Sequence, residues 1–251
     1  MKAFLIAFLL LPFSFFGQPP FSDITLDAGI DNIYDVYQGL FGGGVVAFDY
    51  NNDGYEDLFI TGGQGQDVLY KNNGDATFKD ITKESGLFKD RMIVTTGVSS
   101  ADVNKDGFVD LFVTTIASQA DQSKKKKTLA PNLLYINNGD GTFTDFSSKY
   151  GIIKNNFSTS SSFGDINADG YPDLFVGNYF KNFYFEDSPF NTHNIALLNH
   201  YSINEEYETG DDQLFINVEG KYFKEVSDLL MDSGKGYGFG GVFTDFDNDN
   251  D

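Results

Sequence analysis

The sequence predicts an all-β fold, a β-propeller of four-stranded blades, and three observations carry that prediction. An acidic segment running straight into apolar residues recurs along the chain, beginning at residues 49, 102, 165 and 245. A second recurring segment, set between those copies, reads as a β-hairpin with Asn and Gly in its turn. The composition agrees: 27 glycines in 251 residues, frequent Asn and Asp, and 16% aromatics describe short strands joined by many turns.

Taken in order, the chain opens with "MKAFLIAFLLLPFSFFGQ", one Lys and then an apolar run from Ala3 to Phe16. That length suits a signal peptide over residues 1–17 better than a membrane span, and no second long apolar stretch follows. The expected destination is therefore outside the cell, at its surface or in a periplasm, with no membrane insertion. A formal net charge of −20 argues against nucleic acid as a partner, because the phosphate backbone repels such a chain. There is no Cys, so disulfides cannot brace a secreted fold, and a structural metal becomes more plausible.

"FSDITLDAGI" from Phe21 matches "FKDITKESGL" from Phe78 and "FTDFSSKYGI" from Phe143. Residues 21–30 thus read as the last strand of a unit whose other strands lie elsewhere, a strand that would close the ring against the final blade and remove an open edge. The glycines at 42–44 and 240–241 fit an innermost strand, where backbones crowd near the axis. The hairpins follow as "DVLYKNNGDATFKDIT" from Asp67, "NLLYINNGDGTFTDFS" from Asn132 and "QLFINVEGKYFKEVS" from Gln213. With the acidic loop joining the first two of four strands, the blades span about residues 43–82, 96–147 and 160–227, with a partial one from 240. The last copy breaks off at Asp251, which reads as a cut inside a longer protein.

The acidic loops are "DYNNDGYEDLFI", "DVNKDGFVDLFV" and "DINADGYPDLFV". Oxygen-bearing side chains stand at the first, third, fifth and ninth positions: Asp49, Asn51, Asp53 and Asp57; Asp102, Asn104, Asp106 and Asp110; Asp165, Asn167, Asp169 and Asp173. The sixth position is always Gly, where a sharp turn needs freedom from Cβ strain. The backbone carbonyl of Tyr55, Phe108 or Tyr171 falls seventh. Four side chains and one carbonyl, all hard oxygen donors, suit Ca²⁺ better than Mg²⁺ or zinc. An EF-hand is excluded, because Ile60, Val113 and Val176 occupy the twelfth position where its bidentate Glu belongs. Three Ca²⁺ are expected. A fourth site is open, since Asp245, Asp247 and Asp249 keep the early positions but Asn250 replaces the Gly. Asx-turns without metal are the alternative reading of a single copy; three copies with one grammar weigh against it.

These loops and hairpins resemble FG-GAP/VCBS repeats, the calcium-loop blades also seen in integrin α-subunit propellers. "FGGGVVAFDYNNDGYEDLFITGG" and "LLYINNGDGTFTDFSSKYGI" resemble most the ASPIC/UnbV, or cartilage-acidic-protein-like, secreted proteins. The resemblance implies a ring of about seven blades with loop calcium and an extracellular place. The expected function is non-catalytic adhesion or binding of an extracellular protein or glycan. A propeller-based polysaccharide enzyme, or a structural repeat region of a larger surface protein, are the alternatives. Binding would be expected in two insertions: one with Lys124–Lys127 in a row, otherwise a solvated loop, and one from Asn178 that is rich in aromatics and carries His193 and His200, otherwise a loop packed onto its blade.

Overall fold

The computed structural model describes residues 21–35, 42–87, 92–119, 129–180, 209–230 and 238–244. Residues 1–17, expected to be a signal peptide, the four-lysine run, both histidines and the fourth acidic loop with Asp245, Asp247 and Asp249 lie outside the described residues.

The described chain is all-β, in three antiparallel sheets. The first contains β1 (Val45–Phe48), β2 (Asp57–Ile60), β3 (Val68–Asn72) and β4 (Phe78–Asp80), paired in chain order. The second contains β5 (Met92–Ala101), β6 (Asp110–Gln119), β8 (Leu133–Asn137) and β9 (Phe143–Asp145). The third contains β10 (Asn155–Gly164), β11 (Asp173–Phe180), β12 (Gln213–Val218) and β13 (Tyr222–Glu225). A two-residue strand, β7 (Ala130–Pro131), precedes β8 but pairs with β10, so it ties the second sheet to the third. β5 and β10 start ahead of the repeat boundaries at 96 and 160, and each carries a bulge-type register shift.

Two hydrophobic cores lie between successive sheets. Phe48, Phe59 and Leu69 of the first sheet meet Leu111, Val113 and Leu133 of the second. Phe112, Leu134 and Ile136 of the second meet Leu174, Val176 and Phe215 of the third. β6 shows why its sequence is a continuous apolar run: Leu111 and Val113 enter one core while Phe112 between them enters the other. A strand covered on both faces has no solvent side to make polar. Each such side chain contributes about 1.5–3 kcal/mol through burial.

The inner strands approach too closely for side chains. A Cβ on Gly44 would stand 2.8 Å from the Val98 nitrogen, and one on Gly97 would stand 2.8 Å from the Thr159 carbonyl oxygen. Hydroxyls bind these strands across the sheets: Thr61 Oγ1 donates to the Thr96 carbonyl at 2.7 Å, and Thr96 Oγ1 to the Ser158 carbonyl at 2.8 Å.

Residues 21–30 depart from the expected strand. Residues 25–29 form a turn that matches the one following β4 (Phe78–Asp80), and residues 21–24 are in no described strand. Their turn still docks as the repeat requires. The Ala28 carbonyl accepts the Phe78 N–H, just as Ser85 accepts Phe143 and Tyr150 accepts Phe223, all at 2.8–2.9 Å. No helix among the described residues is long and apolar enough to cross a membrane.

Candidate functional site

Each acidic loop is a turn wound around the amide of its fifth residue. In the first loop the Asp53 N–H is shared between Asp49 Oδ1 and Asn51 Oδ1, both at 3.1 Å. The Gly54 N–H donates to Asp49 Oδ2 at 2.7 Å, and the Tyr55 N–H to Asp53 Oδ1 at 3.1 Å. The second loop repeats this with Asp102, Asn104 and Asp106. The third repeats it with Asp165, Asn167 and Asp169. The turn requires left-handed backbone at two positions. Gly54, Gly107 and Gly170 have φ of +86°, +89° and +83°, and the fourth-position Asn52, Lys105 and Ala168 have φ of 55–59°.

The structure thus gathers the first, third and fifth side chains of each loop at the surface. The ninth is different. Asp57, Asp110 and Asp173 open β2, β6 and β11 and are 0%, 1% and 0% exposed. Both oxygens of each are engaged. Asp110 Oδ2 accepts the Val103 N–H at 2.9 Å, and Oδ1 accepts the Asn137 N–H at 2.8 Å. Asp57 holds Tyr50 and Asn72 in the same way, and Asp173 holds Ile166 and Asn217. Each ninth Asp therefore pins the start of its loop to the end of the third strand of its sheet. This stapling role was not part of the sequence expectation, which gave the residue only a metal to hold.

Burial raises the pKa of all three ninth-position carboxyls, against the lowering effect of their N–H donors. The negative first and fifth residues of each loop add to the rise. Asp110, in the middle sheet with a sheet packed on either side, is pushed up to about 7. Asp53 moves the other way, lowered first by the Asn51 amide and also by Lys71, whose Nζ stands 3.1 Å from its Oδ2.

The seventh-position aromatics cover the hairpin turns. The rings of Tyr55 and Phe108 lie where a Cβ on Gly74 and Gly139 would be, at 2.8 Å, and Tyr171 lies 3.2 Å from the corresponding point on Gly220. Neighbouring loops also touch. Asn52 Nδ2 donates to the Gly107 carbonyl at 3.0 Å, and Lys105 Nζ sits 4.1 Å from the centre of the Tyr171 ring.

The donor set fits a hard, oxygen-seeking cation. A carboxylate has about four lone-pair directions, so the ninth Asp keeps acceptor capacity beyond its two N–H donors. Among the described residues no three acidic or histidine side chains gather closely enough to hold a metal by themselves. A ligand set here would have to draw on the carboxamide of the third residue and the carbonyl of the seventh, oxygen donors of a kind that suits calcium better than zinc.

No curated protein matches the chain. The FG-GAP-like repeat family matches it twice, at residues 49–113 and 116–176, which together make up half of its length. The first match spans two acidic loops, Asp49–Asp57 and Asp102–Asp110, and the second spans Asp165–Asp173. The loops that organise the sheets are thus the same segments that carry the family pattern, and the chain belongs to the FG-GAP-like repeat family.

Proposed function

We propose that this chain is part of a secreted, calcium-braced β-propeller that binds an extracellular protein or glycan and has no catalytic role. The observation that carries the proposal is the threefold recurrence of one oxygen-lined loop, with the same hydrogen bonds in each copy and an anionic staple at its base. Asp49, Asn51, Asp53, the Tyr55 carbonyl and Asp57 would hold one Ca²⁺, and their counterparts in the second and third loops one each. The cation would supply positive charge against three crowded carboxylates and fix the entry to the second strand of each blade. The three sheets would be successive blades of a ring of about seven. The hairpin string from Leu133 supports the ASPIC/UnbV-like group within the family. A non-catalytic role is supported by the commitment of the buried ninth-position carboxylates to backbone donors, which leaves them poorly placed for proton transfer.

Thermal unfolding with and without calcium tests this reading. At about tenfold excess over Kd, each site contributes roughly 1.4 kcal/mol. Three sites then raise Tm by roughly 8–16 °C for a chain of this size. Equal Tm values in about 10 mM CaCl₂ and in excess chelator would reject the calcium assignment.

A further inference from the structure

The three loops are joined by one unbroken polar chain that passes through the interior, and two asparagines form its links. Asn137, at the end of β8, is 1% exposed, and Asn217, in β12, is 0% exposed. The Asn137 N–H donates to Asp110 of its own sheet, while its Nδ2 donates to the Tyr50 carbonyl in the preceding acidic loop at 2.7 Å. The Tyr50 N–H is in turn held by Asp57. Asn217 repeats the pattern one sheet on. Its N–H donates to Asp173 and its Nδ2 to the Val103 carbonyl at 2.8 Å, and the Val103 N–H is held by Asp110. The path therefore runs from Asp57 through Tyr50 and Asn137 to Asp110, then through Val103 and Asn217 to Asp173.

Asn72 holds the same place in the first sheet. It makes the same bonds within its own sheet, to Asp57 through its N–H and to the Glu56 carbonyl through Nδ2. It stands in the first sheet, which no acidic loop precedes in the sequence, and it is half-buried where Asn137 and Asn217 are enclosed.

From this geometry we infer that Asn137 and Asn217 are positioning residues that make calcium binding at successive loops cooperative; the inference rests on the calcium reading above. Tyr50 and Val103 are the second residues of their loops, directly after the first ligand. Ordering one loop fixes the carbonyl that its asparagine partner grips. The same asparagine fixes the N–H on which the next ninth-position Asp is oriented. A loop whose Asp is already oriented gives up less freedom when it binds, so its affinity rises. The coupling expected for such a link is roughly fivefold in affinity between neighbours.

The amides of Gly54, Gly107 and Gly170 each donate to the first Asp of their own loop at 2.6–2.8 Å, so their NMR shifts report the three sites separately. The test titrates CaCl₂ into the whole chain and into an Asp49→Asn/Asp53→Asn variant that disables the exposed first loop. Loss of the first site should raise the Gly107 midpoint by roughly fivefold. In an Asn137→Ala background the same loop variant should leave that midpoint unchanged, whereas Asn72→Ala should preserve the coupling. Coulomb interaction between sites would persist without Asn137, so its disappearance identifies the hydrogen-bonded link. An unchanged Gly107 midpoint on disabling the first loop would overturn the cooperative link while leaving calcium binding intact. Glycine amides that ignore CaCl₂ altogether would remove the calcium reading and this inference with it. The Asp49/Asp53 variant touches only partly exposed or exposed side chains, so the test survives even if Asn137→Ala fails to fold.

Discussion

Replacing Asp110 by Asn should stabilise the metal-free protein and destabilise the calcium-loaded one. The carboxyl is 1% exposed, and burial pushes its pKa up to about 7, against about 4 in an unfolded chain. An acid whose folded pKa exceeds its unfolded value binds more protons when folded, between those two values. Its stabilising effect is greatest below about pH 4, and stability falls as pH rises to about 7. A gap of about three units corresponds to roughly 4 kcal/mol lost by pH 8. The Asn variant escapes that loss but presents an NH₂ to one of the two backbone N–H groups, from Val103 or Asn137, that the carboxylate accepts. Leaving a buried donor unsatisfied costs about 1–3 kcal/mol. The difference is a gain of roughly 2 kcal/mol in chelator at pH 8, or about 4–8 °C in Tm for a chain of this size. In saturating Ca²⁺ the sign should reverse, because the variant lacks a charged ligand. Urea unfolding of both proteins from pH 5 to pH 8, in chelator and in calcium, measures all of this. If the variant is the less stable protein in chelator at pH 8, the two N–H bonds outweigh the desolvation of the carboxylate, and the argument fails.

Three further outcomes are expected. Gly107→Ala meets no atom within 4 Å of the new Cβ, so its cost is the left-handed backbone alone, about 1–2 kcal/mol in urea unfolding with or without calcium; an effect confined to calcium would point to the ligand set instead. Ala168→Gly relieves a side chain held at φ 55° and should stabilise by about 0.5–1 kcal/mol, and a loss of stability would show that the third loop tolerates its strain. Thr96→Val removes the hydroxyl that donates to the Ser158 carbonyl between the second and third sheets; it should cost about 1–3 kcal/mol by denaturant midpoint, and a neutral result would make the buried hydroxyl belt incidental.

Much of this was legible in the sequence because it is local. Asp, Asn and Asp at alternate positions, with Gly directly after the last, determine a turn through bonds that span two to five residues, and the structure contains that turn three times. The hairpins were legible for the same reason, through turns containing Asn and Gly whose glycines, Gly74, Gly139 and Gly220, sit at positive φ. The expected strand at residues 21–30 was drawn too long: in the matching repeat only Phe78–Asp80 is strand, and the rest is the turn that in this copy docks through Ala28.

The stapling bonds of the ninth-position Asp and the links of the strand-end Asn were missed for one shared reason. Asp110 stands directly before an apolar run and looks, from the sequence, like the last member of a surface loop. Its partners lie 7 and 27 residues away, and the Tyr50 carbonyl that Asn137 grips lies 87 residues away. No local pattern encodes such distances. A signal was nevertheless present: an Asn recurs at the end of "LYKN", "LYIN" and "LFIN", one apolar strand before each outer hairpin strand. Its side chain was read as turn chemistry, where Asn is common. In an array whose units contact only their neighbours, a polar residue repeated at the same point of every unit has a second candidate role, that of bonding to the previous unit. Asn72 makes the same bonds within its own sheet and turn, in the first sheet, which no acidic loop precedes in the sequence. Asn137 and Asn217 each have such a loop one sheet back, and the bonds they make to it join the loops that the calcium proposal concerns.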